Sequence, residues 1–159
     1  MASRGEELAQ QLEEQMEALA KVIEEWPDDA WTKAVGEEGW TVAATAQHVS
    51  GQFPLEMEYI TACAEGREMP PHTWEDINTR NDTRAEHATM VSKADVIAEL
   101  REKGSVAADY VRGLSDEQLD RKAMLPLADG AAVSTQQLIE GGVLIDHVRA
   151  HTASIKAAR

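Results

Sequence analysis

Near the end of the chain, Ile145-Asp146-His147-Val148-Arg149-Ala150-His151 carries two imidazoles four residues apart. On a helix that spacing puts both rings on one face, with β-carbons about 6 Å apart. Such a pair can converge on one ion at metal–nitrogen distances of about 2.0–2.1 Å. A third imidazole, His48, stands far upstream in Trp40-Thr41-Val42-Ala43-Ala44-Thr45-Ala46-Gln47-His48. Three neutral nitrogens leave a coordination position open, which marks a catalytic site as opposed to a structural one. A water in that position falls from a pKa of 15.7 toward about 7, which yields hydroxide for hydrolysis. A thiol there loses its proton and becomes a nucleophile toward electrophilic carbon. The residue types leave both chemistries open. His-x-x-x-His alone is also what a hydrogen-bonded core histidine next to another would look like.

The elements that must position these rings are helices. Ser3 and Glu6 match a capping box, and Leu8, Leu12, Met16, Leu19 and Ile23 then form one apolar stripe that ends at Trp26-Pro27. Residues 28–39 read as a connector holding Trp31, Gly36 and Gly39. Thr41 is the expected N-cap of a helix from Val42 to Ala64. In it, Val42, Thr45, Val49, Tyr59, Ile60 and Cys63 share an arc, and Pro54 predicts a kink two turns after His48. Thr73 and Asp76 start a short helix through Trp74 and Ile77 toward Arg84. Ser92 and Asp95 start a long one with Val96, Leu100, Ala107, Tyr110 and Leu114 on its stripe and Gly113 at its end. Leu114 to Leu119 is a capped turn or two. Residues 121–133, with Pro126 and Gly130, read as a loop. Ser134 and Gln137 cap a last helix that carries Leu138, Ile145, Val148, Thr152 and Ile155 nearly to Arg159.

No strand-like alternation of useful length is present. The pattern predicts an all-α protein: one domain over 1–159, a four-helix bundle with a long crossover containing a short extra helix. That crossover means the topology need not be simple up-down-up-down. On a helical wheel His147 and His151 fall with Leu144 and Ile155 at the apolar edge, facing the interior, and His48 lies beside Thr45 and Gln52. Gln52 can hydrogen-bond a ligand there. Glu56 and Glu140 lie about two turns from the nearest histidine, too far to share an ion with an unkinked neighbour. Asp76 and Asn78 are candidates to lie over the open end, while His72 and His87 lack a ligand-spaced partner. Gly141-Gly142 inside a helix costs roughly 1 kcal/mol per glycine, and marks close packing or room for a substrate.

Composition bounds the rest. Hydrophobic residues make up 43% and aromatic ones only 4%, which suits packed helices. The 29 acidic against 15 basic residues give a net charge of −14, which repels phosphate backbones and predicts no nucleic-acid partner. A single cysteine, Cys63, fits a reducing compartment as a buried, inert thiol. No apolar run approaches the roughly 20 residues of a membrane span, and no signal peptide is evident. The expectation is a cytoplasmic protein with no membrane partner.

Gly39-Trp40-Thr41-Val42 leading into the His48 helix, then a long acidic middle, then Asp146-His147-x-x-x-His151, resembles the DinB/YfiT-like family. Trp74-Glu75-Asp76-Ile77-Asn78 and the segment from Gly113 to Leu119 add weaker likeness, so that the resemblance covers nearly the whole chain. It implies a four-helix bundle holding one divalent ion, usually zinc or nickel, through three histidines, which fall here on His48, His147 and His151. Members commonly form homodimers. Relatives include bacillithiol S-transferases and the metal-binding domain of a mycothiol-dependent maleylpyruvate isomerase. The resemblance thus implies a transferase that activates a low-molecular-weight thiol against a small electrophile. A metal-dependent hydrolase using metal-bound hydroxide, and a non-catalytic bundle that binds a small molecule or metal, are the alternatives.

Overall fold

Six of the seven α-helices among the described residues start at a serine or threonine whose side chain accepts the backbone N–H three residues on. That local bond satisfies one of the N–H groups a helix start leaves bare. The computed structural model describes residues 1–36, 39–88 and 91–159, so part of the 28–39 connector, at 37–38, lies outside the described residues. The helices are α1 (Arg4–Glu25), α2 (Val42–Glu65), α3 (Trp74–His87), α4 (Lys93–Arg112), α5 (Asp116–Asp120), α6 (Thr135–Glu140) and α7 (Ile145–Ala157). The capping box is reciprocal at α3, α5 and α6. At α1 it is one-sided, which corrects the expectation. Ser3 caps, but the Glu6 carboxylate takes Arg112 Nε at 2.8 Å and Gln10 Nε2 at 3.0 Å instead.

α1, α2, α4 and α7 make the bundle. α1 packs chiefly on α4 and α7, and α2 packs on those same two helices, so sequence neighbours α1 and α2 are not the main pair. The crossover through α3 produces this order. Leu12, Leu19 and Ile23 of α1 meet Val49, Phe53 and Ile60 of α2, Leu100 and Val111 of α4, and Val148 and Ile155 of α7, all almost fully buried. Two glycines allow α1 and α4 to approach closely. A Cβ at Gly5 would stand 2.7 Å from the carbonyl oxygen of Val111, and one at Gly104 would stand 1.8 Å from Met16 Sδ. Pro54 sits on the exposed side of α2, which is assigned as one helix from end to end.

Two expectations are corrected in the last third of the chain. Residues 121–133 are not a plain loop. Strands β1 (Lys122–Leu125) and β2 (Ala131–Ser134) pair antiparallel, with Lys122 opposite Ser134 and Leu125 opposite Ala131. Asp129 at φ 54° and Gly130 at φ 76° supply the left-handed residues that turn the ribbon. The strands are too short and too exposed to show alternation. The expected last helix is also broken in two. Gly141 is extended, at ψ −161°, and α7 restarts after Leu144 with no side-chain cap. Cys63 is buried, and its thiol donates to the Arg121 carbonyl at 3.4 Å where the ribbon begins. Among the described residues no helix is long and apolar enough to cross a membrane.

Candidate metal centre

α2 and α7 bring His48, His147 and His151 together, with one ligand atom of each within 4.8 Å of the others. Nε2 of His48 is 2.9 Å from Nε2 of His147. Ring centroids lie 4.9, 4.9 and 4.7 Å apart with planes at 87°, 77° and 87°. The three rings stand nearly perpendicular to one another, and one nitrogen of each lies within 4.8 Å of the others. Two nitrogens on one ion are at most about 4.2 Å apart. The His48–His147 pair, at 2.9 Å, satisfies that limit, and the 4.8 Å bound on the whole set lies just beyond it. The cluster therefore fits a divalent cation.

His48 is buried, and its ring stands 5.3 Å from that of Trp40. The connector fixes Trp40 there, because its carbonyl accepts Gly36 N–H at 3.0 Å and Val42 N–H reaches the Ala34 carbonyl at 2.8 Å. Burial, then the nearby His147, His151 and Arg84, push the His48 imidazolium down to a pKa of about 3. Only an interaction with the Asn81 side chain opposes them. His48 is thus neutral at physiological pH, the state that a metal ligand requires.

Glu56 stands behind His147. Its Oε1 lies 2.5 Å from Nδ1, an ion pair by distance that lacks the alignment of a hydrogen bond. Complete burial raises the Glu56 carboxyl above the ordinary carboxylate range, and His147 partly offsets this. A carboxylate on the outer nitrogen of an imidazole fixes the ring and raises its basicity, the arrangement found around metal-bound histidines. Spacing along the chain set Glu56 too far from the histidines to matter, whereas the structure brings it against His147, because that contact depends on how α2 faces α7.

A cleft of about 220 Å³ opens beside the imidazoles. Its α2 wall carries His48, Gln52, Leu55, Glu56 and Tyr59; Trp74, Ile77 and Asn81 come from α3, Leu125 and Leu127 from the ribbon, and Gly142 and Val143 from the helix break. Trp74 ties two of these walls together, because its Nε1 donates to the Leu127 carbonyl at 2.8 Å. α3 does lie over the centre as its sequence position implies, but through the face 74, 77 and 81. Asp76 and Asn78 are exposed, and Asp76 is spent on the Thr73 cap. Gln52 is in the cleft wall and accepts from Arg84 at 3.3 Å. His72 pairs with Glu58 at 3.6 Å, His87 meets the Thr83 carbonyl, and exposed Asp146 pairs with Arg149. Asn81, Leu127 and Val143 carry no local signal that would have singled them out.

The model of the DinB superfamily matches residues 11–155. No curated protein matches the sequence significantly. Among solved structures, YfiT from Bacillus subtilis superposes with a TM-score of 0.78 at 18% identity, covering 99% of this chain and 88% of its own. It is described as a probable metal-dependent hydrolase with an unusual four-helix bundle topology. The mycothiol-dependent maleylpyruvate isomerase superposes with a TM-score of 0.70 at 14% identity. The superposition covers 96% of this chain and 61% of the isomerase. The colibactin self-resistance protein ClbS, solved in complex with double-stranded DNA, gives 0.72 at 13% identity over 96% of this chain and 93% of its own.

ClbS overturns the expectation that nucleic acid is excluded, since a protein of this fold is solved on DNA. Net charge is a whole-chain sum and does not fix the local potential. Cations far apart in sequence, such as Arg67 and Arg121 around the end of α2, can gather in space. The match of the family model over most of its length places this chain in the DinB superfamily.

Proposed function

We propose that His48, His147 and His151 hold one divalent cation, zinc or nickel, and that the protein is a metal-dependent enzyme of thiol-transfer type. The observation that carries this reading is the convergence of three imidazoles within 4.8 Å at the edge of a cleft large enough for a small molecule. When bound, the cation supplies Lewis acidity that lowers the pKa of a coordinated thiol or water. The chain's own residues do the rest. Glu56 orients His147, Asn81 faces His48, and Trp40 holds the His48 ring from the side. Leu55, Ile77, Leu125, Leu127 and Val143 exclude water from the space where an electrophile would sit. The likeness to a mycothiol-dependent isomerase supports the thiol reading.

Hydrolysis is the second reading. The other Glu56 oxygen, Oε2, is buried without a hydrogen-bond partner in the same cleft, so it can take a proton from water there. Elemental analysis of protein purified without chelator tests the metal: about one divalent ion per chain is expected, lost in His48→Ala and His151→Ala. Metal-loaded protein is then offered an activated electrophile with and without a low-molecular-weight thiol. Turnover only with thiol supports transfer, and turnover without it moves the assignment to hydrolysis.

A further inference from the structure

Five of the seven buried side-chain polar atoms that lack a hydrogen-bond partner among the described residues belong to cleft residues: His48, Glu56, Tyr59, Asn81 and His147. Leaving such groups unpaired is costly, and natural interiors keep few of them without a reason. Four have a reason at the metal centre, since Glu56 and His147 face each other and Asn81 faces His48. The Tyr59 hydroxyl does not. Tyr59 is buried, with 3% of its surface exposed, and sits about three turns along α2 from His48. Leu55, Ile77, Leu125, Leu127 and Val143 make the apolar part of the wall, and no lysine or arginine lines the cleft. Arg84 is turned to Gln52 and packs over Gly51.

Resting on the metal reading above, we propose that the substrate is a molecule with an apolar body and a carbonyl or nitro oxygen that accepts a hydrogen bond from the Tyr59 hydroxyl. The apolar wall stabilises the body of such a molecule by removing it from water. Burial and the neighbouring Glu58 hold the Tyr59 phenol above its ordinary range, so it remains a donor at neutral pH. Tyr59 touches no histidine of the cluster and serves as a specificity-determining residue distant from the reacting atoms.

Two probes of similar shape test this, acetophenone and cumene, with dissociation constants measured by ligand-observed saturation-transfer NMR. Acetophenone is expected to bind roughly two- to tenfold more tightly than cumene, the range for one neutral hydrogen bond. Tyr59→Phe removes the preference for acetophenone over cumene. It also leaves the melting temperature unchanged or raised, because an orphan hydroxyl is lost. A preference that survives in Tyr59→Phe, no binding by either probe, or a lowered melting temperature in the variant each overturns the proposal. The measurements are made on chelator-treated and zinc-supplemented protein. Failure here leaves the metal stoichiometry standing, and absence of metal leaves the probe selectivity standing.

Discussion

Nε2 of His48 on α2 and Nε2 of His147 on α7 are 2.9 Å apart, across the seam between two bundle helices. At that distance the two rings either share one proton or present two lone pairs to a cation. Glu56 Oε1, 2.5 Å from Nδ1 of His147, buttresses the ring from behind so that Nε2 stays turned toward His48.

Glu56→Gln is therefore expected to weaken metal binding by about 10–100-fold, the usual cost of removing an orienting partner. Gln keeps the volume but not the charge, so the helix pair remains packed. Competition titration against a chromogenic chelator reads the affinity, and circular dichroism reads the fold. An unchanged affinity would remove Glu56 from the centre.

Acid is expected to destabilise the metal-free protein. The folded-state pKa of His48, about 3, lies below its ordinary value of 6.5. The unfolded chain therefore binds the proton first. The contribution of neutral His48 is present above pH 6.5 and is lost as pH falls from there toward 3, at no more than about 1.4 kcal/mol per pH unit. Urea unfolding of chelated protein at pH 7, 6 and 5 measures the slope. His48→Gln is expected to flatten it.

The two close-approach glycines should differ in cost. Gly5→Ala drives a methyl against the carbonyls of Val111, Arg112 and Leu114, which are backbone. Overpacking of about 1–3 kcal/mol then exceeds the gain of about 1 kcal/mol from alanine's helix propensity. Gly104→Ala meets only the Met16 side chain, whose flexible thioether can turn aside. Denaturant midpoints are expected to fall more for Gly5→Ala than for Gly104→Ala.

Gly142 offers a test of the cleft. A Cβ there meets nothing within 4 Å, yet the residue lines the cavity. Gly142→Leu is expected to leave stability and metal content near wild type while cutting probe binding several-fold. Thermal melts, elemental analysis and the acetophenone titration check the three together.

Most of what could be read in advance is local. Helix starts at Ser3, Thr41, Thr73, Ser92, Ser115 and Ser134, and the stripes that follow them, involve bonds and faces three or four residues apart, so a short window of residues decides them. The family pattern added the pairing of His48 with His147 and His151, and the structure brings those three rings together. The ribbon at 122–134 escaped notice because its turn rests on Asp129 and Gly130 and its short strands bury little. Gly141-Gly142 stood out as an oddity, but whether it bends, breaks or merely packs a helix depends on the surrounding contacts, and here the break opens a wall of the cleft.

Local chemistry along the chain thus settles where helices begin, which face each buries and which nitrogens are available as ligands. Packing settles the rest. Glu56 reaches His147, Asn81 faces His48 and Tyr59 keeps an unpaired hydroxyl in the cleft wall only because α2, α3, α7 and the ribbon meet around one cleft. Those relationships join residues distant in sequence, and no periodicity encodes the angle at which two helices face each other.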